Sequence, residues 1–296
     1  MSAELVLGAD EVLVPAAGDL CEGPQWDDRS QRLVWVDILR GRVHEADAAG
    51  GSQAVHELGA PVGAVAPRRQ GGWVAAMERG FQLLDDRWQP RGSLMEAPGQ
   101  RPGTRFNDGG CDPAGRFWAG TLCYEGTPRQ AALYRLETDG SCTEVLAEVT
   151  NSNGLGWSPD GGTLYYVDTG RGTLDVFDYE AGTGSVRERR TLVGVPPSEG
   201  VPDGLCVDDE GHVWLALWGG GSVRRYSPDG RLELVVRLPV SNVTSVAFGG
   251  ADLADLFVTT AREGLDAAQR RAEPLAGSVF RCRPGVTGRP RATYDG

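Results

Sequence analysis

Short apolar segments recur along the chain, and tight turns of Asp, Gly, Pro and Ser separate them. Typical segments are residues 32–37, 73–76, 163–168 and 255–260. They are rich in Val, Leu, Tyr, Phe and Trp, as β-strands are. Helical periodicity is nearly absent; one polar stretch, 263–273, predicts one or two helical turns within a loop. The pattern therefore predicts an all-β fold.

A polar motif recurs along this pattern: an acid or amide, usually followed by glycine and an apolar run. Full forms occur at Glu22, Asn107, Asn153 and Asp203, and weaker forms at Gly63 and Thr244. The steps between successive motifs are 41, 44, 46, 50 and 41 residues, which suits propeller blades of roughly 40–50 residues. We predict one domain, residues 1–296, folded as a six-bladed β-propeller with four antiparallel strands per blade. Segment 11–14 is expected to close the ring against the last repeat.

Composition and charge narrow the function classes. The chain has 296 residues and a net charge of −12, which argues against nucleic acid and anionic membranes as partners. Its six cysteines form no CxxC pair, so free, mostly buried thiols in a reducing, cytoplasmic setting are expected. The N-terminus shows no secretory signal, and no apolar run approaches the ~20 residues of a membrane helix.

The motif residues form a candidate metal site. Because the innermost strands of a propeller begin around one central channel, Glu22, Asn107, Asn153 and Asp203 are expected to face one another there. Glu22, Asn153 and Asp203 offer carboxylate and amide oxygens, which hard cations prefer, and leave positions for water and substrate. Alternatively, each residue only caps a turn, since Asp-Gly and Asn-Gly are common turn dipeptides. Their recurrence at one point of the repeat favours the metal site.

Other chemistries find little support in the sequence. The 29 basic residues are all arginine, which excludes a lysine Schiff base. The three histidines show no metal-ligand spacing, and neither a serine-hydrolase elbow nor a phosphate-binding loop is present. The tryptophans, including those at 26, 118, 157 and 214, are expected to pack between sheets. Asp37 and Asp168 are interpreted as strand-end or supporting residues.

Five ordered motifs resemble one known family over about residues 15 to 295. They are Cys21-Glu22-Gly23-Pro24, Arg105-Phe106-Asn107-Asp108-Gly109, segment 152–160, Pro202-Asp203-Gly204 and segment 255–261. The chain is similar there to the family of senescence marker protein (regucalcin), gluconolactonase and luciferin-regenerating enzyme. The resemblance implies a six-bladed propeller with one divalent metal in the channel, held by Glu22, Asn153 and Asp203. It also implies substrate binding by Arg105, Asn107 and Glu125.

The activity implied by the resemblance is metal-dependent hydrolysis of a sugar lactone to the aldonic acid. In this hypothesis the metal polarises the lactone carbonyl, and Asp203 takes the proton of the attacking water. Calcium or zinc is the expected ion, followed by magnesium or manganese. Two alternatives stay open: a metal-dependent phosphotriesterase-like hydrolase, and a non-catalytic calcium-binding or interaction propeller. The sequence does not specify the lactone, the ion or the oligomeric state.

Overall fold

The computed structural model describes residues 2–296 and is built almost entirely of strands. The strands of the first half are β1 Ala3–Val6, β2 Val12–Val14, β3 Cys21–Asp27, β4 Arg32–Asp37, β5 Arg42–Asp47, β6 Gln53–Glu57, β7 Val62–Pro67, β8 Trp73–Met77, β9 Gly80–Leu84, β10 Pro90–Glu96, β11 Thr104–Cys111, β12 Phe117–Cys123, β13 Ala131–Leu136 and β14 Cys142–Val149. Those of the second half are β15 Ser152–Trp157, β16 Thr163–Asp168, β17 Thr173–Glu180, β18 Ser185–Gly194, β19 Val201–Val207, β20 Val213–Trp218, β21 Ser222–Tyr226, β22 Leu232–Arg237, β23 Val243–Gly249, β24 Asp255–Thr260 and β25 Val279–Cys282. The α-helix is α1 Ala267–Ala272, and short 3-10 helices span Ala9–Glu11, Thr169–Arg171 and Pro197–Glu199.

The strands form six antiparallel blades arranged in a ring. Blades 1 to 6 are β3–β6, β7–β10, β11–β14, β15–β18, β19–β22, and β23–β25 with β2. The innermost strands β3, β7, β11, β15, β19 and β23 contact one another in this order, and β23 contacts β3. The six-bladed propeller prediction is confirmed. Below, the upper end of the central channel is the end where these inner strands begin, and the lower end is where they finish.

Both termini take part in closing the ring. Val12 in β2 pairs with Phe280 in β25, so the N-terminal segment supplies the outer strand of blade 6; this prediction is confirmed. Strand β1 was not predicted, and it adds to blade 5 as a fifth strand, parallel to β22. Helix α1 lies inside the polar stretch 263–273, where Asp266 caps it by accepting from two backbone N–H groups.

Hydrophobic packing lies mainly between neighbouring blades. Six buried clusters each combine residues from two adjacent blades. Aromatic pairs cross three of these interfaces: Trp26 with Phe257, Trp118 with Trp157, and Trp214 with Phe248, with ring centroids 5.4 to 5.9 Å apart. The predicted packing role of these tryptophans is confirmed, and the clusters hold the inner strands at fixed positions around the channel.

Every inner strand carries a β-bulge or register shift at its motif. The shifts lie between Glu22 and Gln25, Val62 and Ala64, Phe106 and Asp108, Ser152 and Leu155, Pro202 and Leu205, and Val243 and Ser245. A bulge interrupts the strand alternation and re-aims a side chain. The recurrence seen in the sequence thus has a structural cause in all six blades, including the two whose motif lacks an acid or amide.

The motif glycines allow adjacent inner strands to approach closely. A Cβ atom on Gly154 would lie 2.6 Å from the backbone nitrogen of Leu205 and 2.7 Å from the carbonyl oxygen of Asp203. On Gly63 it would lie 2.6 Å from the backbone nitrogen of Asn107. These contacts leave no room for a side chain. The glycines are therefore explained by packing, whereas the polar residues beside them require a separate explanation.

Two further expectations concern the cysteines and membrane helices. All six cysteines are free; Cys21 and Cys206 are buried and the other four are partly exposed. Free thiols are thus confirmed, although fewer are buried than expected. Within residues 2–296 no helix has the length and apolar character needed to cross a membrane.

Candidate metal and substrate site

Three buried carboxylates converge at the upper half of the channel. Glu22 in β3 and Asp203 in β19 are 3% and 5% exposed, and Asp108 in β11 is 7% exposed. Burial, and then the charges of Asp203 and Asp108, raise the pKa of Glu22 well above its usual range. Burial and the charge of Asp108 likewise raise the pKa of Asp203, and burial raises that of Asp108 to about 6. The three acids therefore share one region of low polarity.

These carboxylates lack a paired cation. Within residues 2–296 none of the three forms a salt bridge to an arginine or histidine. The charge of Arg105 lowers the pKa of Glu22 and of Asp203, but its Nη1 donates to the carbonyl oxygen of Phe106 and to another side chain. Unpaired buried carboxylates are unfavourable. A divalent cation among these oxygen donors would offset the free-energy cost of burying the carboxylates and the repulsion between their charges. The residues therefore fit such an ion.

Asn153 is oriented by its neighbours. Its Nδ2 donates to Oγ1 of Thr169 at 2.8 Å, and that hydroxyl donates to the carbonyl oxygen of Pro202 at 2.8 Å. A hydrogen bond from Asn153 also lowers the pKa of Asp203. Because the amide nitrogen donates to Thr169, Oδ1 is the acceptor of this side chain; it takes one hydrogen bond from Asn107 and keeps a second lone pair for a cation. Supporting hydrogen bonds of this kind fix the orientation of metal ligands.

Asn107 joins Asn153 to Arg105. Its Nδ2 donates to Oδ1 of Asn153 at 3.2 Å and to the carbonyl oxygen of Ser152 at 3.0 Å, and its Oδ1 accepts from Arg105 at 2.8 Å. Nε of Arg105 is buried and has no hydrogen-bond partner in the described chain. A buried donor without a partner is unfavourable. It is therefore available to a polar ligand that enters the channel.

Two residues that the sequence did not single out cover Arg105. The ring of Tyr124 lies over its guanidinium at 5.9 Å, and the Tyr124 hydroxyl donates to Oε1 of Glu78 at 2.9 Å. These residues follow β12 and β8, in different blades. Neither belongs to a repeating motif, so no sequence signal could have identified them.

Glu125 lies differently from the other predicted site residues. It is exposed in the turn after β12, and its side chain makes no hydrogen bond within residues 2–296. The structure thus brings together Glu22, Asn153, Asp203, Arg105 and Asn107, and it does not bring Glu125 into hydrogen-bonding contact with them. Its substrate role stays a prediction.

Asp168 and Asp37 lie at strand ends beside the site. The Asp168 carboxylate accepts from the backbone N–H groups of Thr150 and Asn151, which hold the chain entering β15. Asp37 holds the chain entering β3 in the same way. These two acids therefore fix the backbone just before Asn153 and Glu22.

A second acidic cluster lies elsewhere, at the turn before β20. Ligand atoms of Asp208, Glu210 and His212 lie within 4.8 Å of one another. However, Arg225 forms ion pairs with both carboxylates, and Asp208 also accepts backbone N–H groups from the other two residues. Asp112 makes the same backbone contacts in blade 3. The cluster is therefore interpreted as a blade turn neutralised by arginine.

Comparison with known proteins covers nearly the full chain. The family model described as the SMP-30/Gluconolactonase/LRE-like region matches residues 20–262. Regucalcin from Danio rerio is 38% identical over 291 residues, which is 97% of this chain and 98% of the relative. A crystal structure of a calcium-binding protein, regucalcin, from Agrobacterium tumefaciens is 32% identical with a TM-score of 0.91, covering 99% of both chains. A luciferin-regenerating enzyme structure is 30% identical with a TM-score of 0.86, covering 96% of this chain and 97% of that one.

Proposed function

The chain belongs to the SMP-30/gluconolactonase/LRE-like family, and from this premise we propose that it is a metal-dependent hydrolase of sugar lactones. It would open an aldonolactone to the aldonic acid. The observation that carries the proposal is the group of buried carboxylates without a paired cation, next to an arginine with an unused buried donor. A site of this kind suits a cation and a polar substrate together.

The ion would be held by Glu22, Asn153 and Asp203. Calcium is proposed first, because all the donors are oxygens and the Agrobacterium relative is described as a calcium-binding protein; zinc is the second choice, ahead of magnesium and manganese. When bound, a divalent ion supplies Lewis acidity toward a carbonyl oxygen. Asp108 adds negative charge to the same region without serving as a proposed ligand.

Asp203 is the proposed general base. It would accept a proton from the water that attacks the lactone carbonyl carbon and pass that proton to the ring oxygen, which leaves as a hydroxyl of the ring-opened aldonic acid. No arginine or histidine of residues 2–296 forms a salt bridge with its carboxylate, so no ion pair competes with the proton that it would accept. Its burial also limits access of bulk water to the reacting atoms.

Arg105 would orient the substrate through its buried Nε, while Asn107 holds that arginine in place. The exposed Glu125 is proposed as an acceptor for a sugar hydroxyl at the mouth of the site. Tyr124 presents an aromatic face beside Arg105, against which the C–H face of a sugar ring can pack. Charged and hydroxyl groups at the mouth favour a polyol over an apolar organophosphate.

The proposal is tested by acid release from a panel of aldonolactones, measured with untreated, chelated and metal-restored protein. We expect hydrolysis that chelation removes and one divalent ion restores. Asp203→Ala should abolish it while the circular dichroism spectrum stays unchanged. Hydrolysis of a phosphotriester but of no lactone would support the phosphotriesterase alternative. Metal binding without hydrolysis of either would support the non-catalytic one.

A further inference from the structure

A second chamber lies at the lower end of the channel. It has a volume of about 420 Å³ and is lined by residues from all six blades together with segment 289–292. Its walls include the last residues of inner strands, such as Cys111 in β11, Trp157 in β15 and Val207 in β19. The candidate metal ligands lie near the first residues of the inner strands, and none of them lines the chamber.

The C-terminal segment crosses the mouth of this chamber. We call residues 289–293 the strap. On one side of it the backbone nitrogen of Gly288 donates to Leu253 in blade 6 at 2.8 Å, and on the other that of Tyr294 donates to Pro67 in blade 2 at 2.9 Å. No backbone hydrogen bond joins residues 289–293 to the rest of the described chain. The strap is thus fixed at both ends and has no main-chain hydrogen bonds to the rest of the described chain between them.

Arg291 of the strap lines the chamber, together with Cys111 and Cys206. Its positive charge lowers the pKa values of Asp108, Cys111 and Cys206, which lie on inner strands of blades 3 and 5. The Arg291 side chain makes no hydrogen bond and no salt bridge within residues 2–296. A guanidinium carries five N–H donors in a planar fork. In a half-buried position, donors without acceptors favour an anionic ligand.

The rest of the chamber is mostly apolar. Its side chains include Leu155, Trp157, Leu205 and Phe248. Asp160 is the carboxylate on its rim, and that group already accepts from the Ser158 hydroxyl and from a backbone N–H. A largely apolar cavity of this volume with few polar groups has the character of a small-molecule site, since such sites are typically about 300–1,000 Å³.

We propose that this chamber binds a small organic anion with an apolar body, and that Arg291 holds its carboxylate or other acidic group. The apolar walls contact the body of the ligand, and the strap covers it. Guanidinium and carboxylate pair through two parallel hydrogen bonds, which favours a planar acid over a halide ion. None of the proposed metal ligands lines it, so binding there does not require the proposed lactonase activity.

The test uses para-fluorobenzoate as the probe and fluorine NMR titration of the full chain in the presence of EDTA. We expect saturable binding without metal. Arg291→Gln should weaken it by about tenfold or more, the size of a lost charged hydrogen-bonding pair. Arg291→Lys should weaken it less, because the charge is retained. Arg271→Gln removes an exposed charge from helix α1, which does not line the chamber, and should change the affinity by less than about twofold.

The cation para-fluorobenzylamine should not compete with the probe, because Arg291 would repel it. Three results would overturn the proposal: no saturable binding of the probe, equal binding by Arg291→Gln, or binding that appears only after metal is added. The last result would assign the probe to the upper end of the channel. Because Arg291 is partly exposed and unpartnered, its variants should fold, which a thermal melt checks.

Discussion

Nδ2 of Asn107 donates a hydrogen bond to Oδ1 of Asn153 at 3.2 Å, between neighbouring blades and across 46 positions of the sequence. Asn153 is a proposed metal ligand, and Asn107 also holds Arg105 through its Oδ1. The metal side and the substrate side of the site are therefore joined through one amide. Groups that share a hydrogen-bond network are not independent when mutated.

This link predicts different effects for two substitutions. Asn107→Ala should raise the KM for the lactone and also weaken metal binding, because it frees both Arg105 and Asn153. Arg105→Met should raise KM without weakening metal binding, because Arg105 donates no hydrogen bond to Asn153 and the positive charge that acts on Glu22 and Asp203 is removed. Steady-state kinetics and metal calorimetry on both variants check this. Unchanged metal affinity in Asn107→Ala would show that the amide link does not position Asn153.

Thr169 is predicted to set metal affinity without touching the metal. Its hydroxyl accepts from Asn153 and donates to Pro202, next to Asp203. Thr169→Val keeps the shape and removes both hydrogen bonds, so the dissociation constant should rise about 10- to 100-fold. Thr169→Ser keeps the hydroxyl and is the control, with an expected change below about threefold. Equal affinities for the two variants would contradict the assignment.

The buried acids predict an unusual pH dependence of stability for the metal-free protein. In the unfolded chain Asp and Glu have pKa values of about 4, whereas folding raises those of Glu22, Asp108 and Asp203, with Asp108 at about 6. The folded state therefore binds more protons than the unfolded state in this window. The contribution of these acids to stability is present in full below about pH 4 and is lost as pH rises through the raised pKa values.

Urea unfolding from pH 4 to 8 with EDTA measures this effect. The free energy of unfolding should fall by on the order of 1 kcal/mol for each unit of raised pKa. Asp108→Asn should remove the part of the decrease that ends near pH 6. Saturating calcium should cancel the decrease, because the ion binds the ionised carboxylates. If the free energy of unfolding has the same pH dependence in EDTA as in saturating calcium, then calcium does not bind these carboxylates.

Close packing between inner strands predicts a large cost for one added methyl group. Gly154→Ala would place a Cβ against the backbone of blade 5 at Leu205 and Asp203, and it should destabilise the protein by about 1–3 kcal/mol. Gly110, also in an inner strand, has open space where a Cβ would lie and no positive φ. Gly110→Ala should therefore change stability by less than about 0.5 kcal/mol. Thermal and urea unfolding of both variants test the comparison.

The architecture was predictable from the repeat pattern. Each blade has one bulged inner strand, and the motif at that bulge recurs in the sequence every 41 to 50 residues. The closing strand Val12–Val14 was predictable as an apolar segment outside the repeats. Strand β1 was not, because three of its four residues are exposed and its partner, β22, is distant in the sequence.

The site could be predicted only where it follows the repeat. Glu22, Asn153 and Asp203 occupy equivalent positions of different blades, so ring closure alone brings them together. Tyr124 and Glu78 lie in connections outside the motif, and their contact depends on loop paths that the repeat does not determine. The same reason explains why the side chain of Arg291, in the irregular C-terminal segment, could not be placed from sequence.

The most direct test of the account is the anomalous difference density of crystals grown with manganese, which scatters anomalously and accepts oxygen ligands. We predict one strong peak in contact with Glu22, Asn153 and Asp203, and no such peak in Asp203→Asn crystals grown in the same way. A peak at Asp208, Glu210 and His212 instead, or none in the channel, would contradict the central claim that the buried acids hold a divalent cation.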